Sequence, residues 1–485
     1  MRQPIDREAL VRRHAVHVTA IDTSSPLTVG NGEFAFTADV TGLQTLNQSY
    51  RNPLLQTMSH WAWHTIPAAI AGIDPSKFTE QTVVVNNHTS HYPVSAGQPP
   101  ALVAYLRSNP HRLNLGRLFL RRGVASTAPA IGAAELSQIN QTLDVWEGVL
   151  HSRFALDGET VAVETAVHPD VDEVALRVCS PLLASGALAI GLAFPYGDTA
   201  MSGGSDWGAD PSRHTSELVT KPKECETTPV LRHRLDNTSY DLRLRLHASG
   251  GAGGGASCVQ LRAVKGIPHS WTLALSSLAM HAGGSVGADA CIEVGAWFLP
   301  TPTQQHVEAG APSVSEALDA SATHWPRAWR EGAAIELVGS TAPGALELER
   351  RLVLSQFVMM TQEAGSNPPQ VRSPLMTLDD AGGGSIPAQE TGLVQNSWYG
   401  KFHLEMRWHH SMHFYLWKRP ELAQRSDGYF GRVRAQAAKH TREQQGYDGV
   451  RWPKMVGPPE LMHFEPNFTL YSGPSDAGAI SLDDP

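Results

Sequence analysis

Between about residues 15 and 300 the apolar positions come in short runs rich in Val, Leu, Thr and aromatics, each cut by turn residues. That is the texture of strands. Leu143 to Phe154 is followed by Leu156-Asp157-Gly158 and then by Thr160 to Val167; Tyr240 to His247 and Cys258 to Val264 form a later pair. The alternation Leu242-Arg243-Leu244-Arg245-Leu246 predicts a strand with one apolar and one wet face. Long helical periods are scarce here. Many strands with long connections predict a large antiparallel sandwich.

The texture changes near residue 312. Ser313 and Glu316 form a capping box, and Leu318, Ala322, Trp325 and Trp329 then fall on one predicted helical face. Pro326 is expected to kink or end the first segment of this linker. A second helix is predicted with Pro343 near its first turn and Leu346, Val353, Phe357 and Met360 along one stripe. Residues 365–388 read as loop. Helical patterns resume from about His403 to Trp417, stop at Pro420 and continue to about Gln445. From Pro458 onward the chain dissolves into Pro, Gly, Ser and Asp, and an irregular tail is expected.

Length and charge narrow the function classes. The chain has 485 residues, enough for two to four domains, and 41 % hydrophobic residues, enough to bury a core. A formal charge of −9 without a Lys/Arg run argues against nucleic acid as a partner. No run of 18 apolar residues predicts a membrane span, and the start MRQPIDREALVRRHAVHV lacks the apolar core of a secretory signal. A cytoplasmic location is the default expectation, with the sequons at Asn47, Asn87, Asn140, Asn237 and Asn467 unused. Cys179, Cys225, Cys258 and Cys291 form no CxxC pair and are expected to be scattered buried thiols. Nothing in the sequence sets an oligomeric state.

Neither a cofactor nor a metal is expected. Gly250 to Gly255 has the spacing of a phosphate loop, but strand-like Cys258 to Arg262 follows where a helix is needed. His403, His409, His410 and His413 cluster in sequence, yet HExxH is absent. Two segments carry the candidate chemistry. Asn396 to His410 packs Trp398, Tyr399, Lys401, His403, Glu405, Arg407 and Trp408 into a loop-to-helix junction; Gly446 to Pro458 packs Tyr447, Arg451, Trp452 and Lys454 into a turn-rich loop. Sugars need that mixture, with flat aromatic faces for C–H surfaces and charged groups for hydroxyls. The same composition also fits an ordinary amphipathic helix and a well-packed surface loop.

At this point the residues resemble a known family, the proteins related to glycoside hydrolase family 65 in the six-hairpin glycosidase superfamily. Ser25 to Ala35 looks like its GNG strand-turn, and Ser59 to His64 its Trp-x-Trp-His element. His324-Trp325 with Trp329 resembles its linker helices, and Leu346 to Gln356 its first toroid helix. Pro387 to Leu393 with Asn396 to Trp408 resembles PPQETGL…NSWYGKFHLEMHW, and Gly446 to Pro458 resembles QGYxGVRWPKMVGP.

The resemblance implies a multidomain β + α fold. Its parts are an N-terminal β-supersandwich over 1–305, a helical linker over 306–340, part of an (α/α)6 toroid over 341–458 and a tail over 459–485. An insertion at about 370–386 interrupts the family pattern. Only 145 residues follow residue 340, whereas twelve helices of about 12 residues with their connections need roughly 170–240, so the toroid is expected to be truncated. The implied activity is inverting cleavage of a glycosidic bond by water or phosphate on a carbohydrate substrate. Glu405 inherits the carboxylate position that holds substrate hydroxyls. Glu390, Trp398, Tyr399, Lys401, His403, Arg407, Trp408, Arg451, Trp452 and Lys454 are expected to bind substrate. Glu460 stands nearest to the general acid, out of register. The alternative is a non-catalytic sugar-binding or scaffold protein.

Overall fold

The computed structural model describes all residues except 1–3, 51–53, 86, 93, 202, 220–224, 250–257, 277–289, 302–310, 369–397, 405–406, 453–454 and 459–485. The glycine-rich loop at 250–255, the insertion at 370–386 and the tail lie outside the described residues.

Among the described residues, twenty strands lie between Val16 and Pro300. Nine form one antiparallel sheet in the spatial order Val16–Val18, Ser137–Asp144, Val149–Leu156, Glu159–Val167, Glu173–Cys179, Cys291–Pro300, Thr238–Ser249, Val230–Leu235 and His214–Leu218. A four-stranded sheet orders Val259–Ala263, Ser270–Leu275, Leu188–Ala193 and Arg117–Arg122, and a three-stranded sheet joins Leu27–Gly30, Phe34–Ala38 and Thr57–Ser59. One hydrophobic core runs through all three, from Leu118, Ile190 and Leu273 to Phe154, Val163 and Leu244 and on to Phe34 and Phe36. Phe34 of the small sheet stacks on Phe298 of the large one at 5.7 Å.

The alternation at Leu242, Leu244 and Leu246 is real, since all three are buried, but Arg243 and Arg245 are half-buried rather than wet. Arg243 lies over the Trp297 ring at 5.8 Å. The expected run Leu143 to Phe154 is two strands. The chain reverses over Val145 to Gly148, where Gly148 N–H donates to the Asp144 carbonyl at 2.7 Å with φ +69°. The next reversal has positive φ at Asp157 and Gly158, which matches the right-handed twist of the two strands it joins.

The linker helix spans Val314–Glu331, and its capping box is formed as expected: Glu316 N–H donates to Ser313 Oγ at 3.2 Å and Ser313 N–H to Glu316 Oε2 at 2.7 Å. Its buried stripe is Val314, Ala317, Ser321, Trp325 and Trp329; Ala322, expected inside, is exposed. The helix also runs unbroken through Pro326. Two buried indoles on either side fix it there: Trp329 donates to the Val145 carbonyl at 2.7 Å, and Trp325 fills the space left by Gly148 and packs on Phe357 at 4.6 Å. Side-chain anchoring on the sheet outweighs the loss of one helical hydrogen bond.

The following helix spans Ala345–Gln362 and buries Val353, Phe357 and Met360 as expected. Leu346 is 53 % exposed instead, and the buried position in the first turns is Glu349. Its carboxylate accepts from His14 Nε2 at 2.8 Å and from the Leu337 N–H. The expected helix from His403 to Trp417 is a short strand, Phe402–His403, then two short helices, Arg407–Ser411 and His413–Leu416. Helices Pro420–Arg432 and Arg434–Gln445 meet at Val433. No helix is long and apolar enough to cross a membrane among the described residues.

The cysteines are not thiols. Cys179 and Cys291 face each other on adjacent strands and form a disulfide, and Cys225 is bonded to Cys258.

Five histidines gather near the end of the large sheet formed by the strands Val230–Leu235 and His214–Leu218. His214 lies 5.2 Å from His233 and 3.8 Å from His269, and His64 lies 5.2 Å from His111. Tyr196 links the two groups, 5.3 Å from His64 and 5.8 Å from His214. Asp236 faces His64 at 3.1 Å and accepts from Tyr196, which accepts in turn from Arg213. Burial holds His64, His111 and His233 down to about 3, with Arg213 adding to the effect at His64 and His64 at His111; burial takes His214 to about 4.

Two predictions follow from this packing. A β-carbon at Gly148 would sit 2.0 Å from Trp325 Nε1, so Gly148→Ala is expected to lose roughly 2–4 kcal/mol, read as a lowered urea midpoint. For the histidines, the unfolded chain takes up protons near pH 6.5 while the folded chain resists until about pH 3 to 4. The unfolded state therefore binds more protons across that window, and stability falls as the pH drops through it. Urea midpoints measured from pH 8 to pH 4 should therefore fall less, or rise more, below about pH 6.5 in His233→Gln than in the natural chain; parallel profiles would contradict the burial of a neutral imidazole there.

Candidate functional site

The floor of the site is a small second core made by Trp63, Phe402, Tyr429, Val433 and Val456, with Leu404 and Trp452 packed against it. Strand Phe402–His403 pairs with Met455–Val456, so the two sequence segments singled out above become neighbours. Tyr429 fixes the far end by donating to the Gly457 carbonyl at 3.0 Å. Beneath the floor lies Arg112, 1 % exposed, with its guanidinium 4.9 Å from the Trp63 ring and 5.8 Å from Phe402. It donates to the carbonyls of Ser59 and Gly400.

Above the floor opens a cleft of about 770 Å³. Gly446, at φ +71°, ends helix Arg434–Gln445 in the left-handed conformation that glycine adopts without penalty. The chain then turns through Tyr447, Asp448 and Val450 to Arg451, whose N–H donates to Thr441 Oγ1 at 2.9 Å. Trp408, Arg407, Met412 and Phe430 also line the cleft. Trp408 is 69 % exposed, and Trp452 meets Phe430 edge-on at 5.6 Å. Arg407 is paired with Asp427 and lies 5.3 Å from the Phe430 ring. Arg451 Nη1 donates to Gln445 Oε1 at 3.3 Å. Flat rings thus alternate with guanidinium, carboxylate, amide and hydroxyl groups around one opening.

Two of the lining residues are braced from the sheet-rich region. The hairpin of Gln81–Val85 and His88–Tyr92 reaches helix Arg434–Gln445, where Ser90 Oγ donates to the Gln445 carbonyl at 3.3 Å and the His88 ring lies 4.7 Å from Tyr447.

Compared with solved structures, the chain is similar to a putative kojibiose phosphorylase from the human microbiome. The identity is 10 % over 92 % of this chain and 52 % of that one, with a TM-score of 0.54. A bacterial glucoamylase complexed with acarbose also aligns, at 8 % identity over 91 % of this chain and 55 % of that one, but with a TM-score of 0.38. The chain spans about half the length of both structures. The likeness to the kojibiose phosphorylase, at 10 % identity, is one of fold. No family model and no curated protein matches the sequence.

Within this fold the expected site residues divide into two groups. Arg407, Trp408, Arg451 and Trp452 line the cleft together. Trp398, Tyr399 and Lys401 do not; they fasten the chain to the sheet-rich part. Trp398 lies 5.9 Å from the Arg107 guanidinium, and Tyr399 N–H donates to the Met201 carbonyl at 3.0 Å. Lys401 is buried, its Nζ donating to the carbonyls of Leu106, Arg107 and Asn109 at the end of helix Pro100–Ser108. Burial, with help from Arg107, lowers its ammonium to about 7. Trp398, Tyr399 and Gly400 all have φ between +51° and +75°, which costs about 1–2 kcal/mol for each of the two non-glycine residues. His403 contributes backbone pairing with Met455, and its side chain lies outside what is described. Glu390, Glu405, Lys454 and Glu460 lie outside the described residues.

The cleft also holds Thr441, Gln445 and Asp448, which were not singled out as site residues from the sequence. Thr441 and Gln445 are one helical turn apart, a spacing that places both on one face. Among the described residues no group of three His, Cys, Asp or Glu side chains is arranged to hold a metal.

Lys401 holds three carbonyls that otherwise lack this partner. Lys401→Met is therefore expected to lower stability by about 1–3 kcal/mol, measured by urea denaturation at pH 6, where the amine lowered to about 7 is protonated. An unchanged midpoint would show that the ammonium contributes nothing there.

Proposed function

We propose that this chain is a carbohydrate-active protein of glycosidase type that seats a sugar in the cleft between Trp408 and the loop Tyr447 to Trp452. The observation that carries this reading is the cleft lining itself: exposed aromatic faces beside Arg451, Asp448 and Gln445, on a glycosidase-type fold. Aromatic faces take the C–H surface of a pyranose, and guanidinium, carboxylate and amide groups take its hydroxyls. In this reading residues 1–305 are the β-supersandwich, 306–340 the linker, and 341–458 the opening part of an (α/α)6 toroid.

The proposed reaction is inverting cleavage. It needs one protonated carboxyl at the leaving oxygen and one carboxylate on the far side of the ring, about 6.5–9.5 Å apart, with water or phosphate between. Asp448 is the carboxylate among the described lining residues. Glu405, from the segment joining Leu404 to Arg407, is the proposed second carboxylate, with Glu390 and Lys454 as proposed substrate-binding residues and Glu460 as the weaker candidate for the acid.

A second reading, sugar binding without turnover, is favoured by one observation: Asp448 stands without another acidic partner among the described lining residues. A panel of aryl glycosides and disaccharides, assayed for cleavage with and without phosphate and for binding by calorimetry, separates the two. Cleavage lost by a factor of about 10²–10⁴ in Glu405→Gln or Asp448→Asn would support catalysis, and unchanged binding without cleavage the second reading. Trp408→Ala is expected to weaken binding about tenfold, near 1.4 kcal/mol. A chain that neither binds nor cleaves any member of the panel would defeat both readings.

A further inference from the structure

Two observations lie outside the cleft and point the same way. The first is the pairing of all four cysteines. Cys179 and Cys291 are direct cross-strand partners in the large sheet, 112 residues apart, and Cys225 and Cys258 are joined across 33 residues. No free cysteine remains. Reducing compartments keep such pairs as dithiols, and oxidising ones make them disulfides.

The second observation is where the sequons fall. Asn87-His88-Thr89 and Asn237-Thr238-Ser239 place their asparagines, both exposed, at hairpin reversals. Asn87 is the residue before His88 in the hairpin Gln81 to Tyr92, and Asn237 lies between the paired residues Leu235 and Thr238. A carboxamide on a turn is accessible to a transferase, and a large polar substituent there displaces no packed neighbour. Asn47, by contrast, is half-buried, and Asn140 is within the strand Ser137–Asp144. The sequon at Asn467 lies outside the described residues.

We propose that this chain matures in an oxidising, N-glycosylating compartment and carries N-linked glycans on Asn87 and Asn237. In each disulfide two thiols lose two protons and two electrons to a disulfide-bearing oxidant, which leaves as a dithiol. In each glycosylation the asparagine Nδ2 attacks the anomeric carbon of an oligosaccharide carried on a polyisoprenyl diphosphate. The Nδ2–C1 bond forms, the C1–O bond to the diphosphate breaks, one Nδ2 proton leaves, and the lipid diphosphate departs. This proposal is independent of what the cleft binds.

The test uses the full chain, tagged and isolated from the organism that encodes it, with thiols alkylated during lysis and before any reduction. Peptide N-glycosidase digestion in heavy-oxygen water converts each glycosylated asparagine to heavy-oxygen aspartate. Conversion is expected at Asn87 and Asn237, with the four cysteines alkylated only after reduction. Thr89→Ala, which removes the acceptor hydroxyl at an exposed position, is expected to abolish conversion at Asn87 and leave Asn237 converted. Unmodified asparagine at both positions, or four cysteines alkylated without reduction in the isolated chain, would overturn the proposal.

Discussion

The burial of one guanidinium organises the centre of this molecule. Arg112 is almost wholly removed from water, which would cost several kcal/mol if its charge found no compensation. Burial pulls it down to about 9, while Glu363 and Glu33 act in the opposite direction. Both of those carboxyls are themselves raised by burial. What makes the position tolerable is the surroundings: two ring faces, Trp63 and Phe402, and two carbonyls, Ser59 and Gly400. Arginine suits this because its flat cation stacks on rings while its edge donates. One carbonyl belongs to the sheet-rich part and the other to the segment leading to the cleft floor, so the group ties them together.

The helices around the cleft are held in a related way. Pro420–Arg432 has few apolar residues to bury, and arginines do much of the fastening. Arg419 reaches Gln356 Oε1 at 2.6 Å and the Ala328 carbonyl at 3.2 Å; Arg425 reaches the Ala364 carbonyl, and Arg432 the Ser366 carbonyl and Asn367. Hydrogen bonds to charged donors are roughly twice as strong as neutral ones. A helix attached by them keeps its orientation without a broad apolar face.

Much of the fold was legible because local rules and tertiary needs agree in the strands. Leu242, Leu244 and Leu246 alternate because one sheet face is core, and Ser313 caps the linker through contacts three residues away. The misread positions are those whose phase a distant partner decides. Ala322 and Leu346 fit a helical stripe on paper, but Trp325 entering the gap at Gly148 and Glu349 meeting His14 rotate the buried faces elsewhere. The candidate site divides for the same reason. Arg451 and Trp452 follow a helix-ending glycine and were readable as a loop site. Trp398 and Lys401 have the same sugar-friendly composition, yet Lys401 meets carbonyls nearly 300 residues away in sequence, and no local pattern encodes that. Asp448 beside Gly449 reads as an ordinary turn residue, and cysteines 112 and 33 residues apart obey no spacing rule.

The hairpin ending at Tyr92 has a consequence for how this molecule can be divided. Ser90 and Gln445 touch across 355 residues of chain, so the brace behind one flank of the opening is encoded in the first fifth of the sequence and the flank itself in the last. A fragment beginning at the linker would carry Tyr447 without the imidazole stacked on it. Exchanging the front half between relatives would change what supports Tyr447 and Gln445 while leaving every described lining residue of the cleft unchanged.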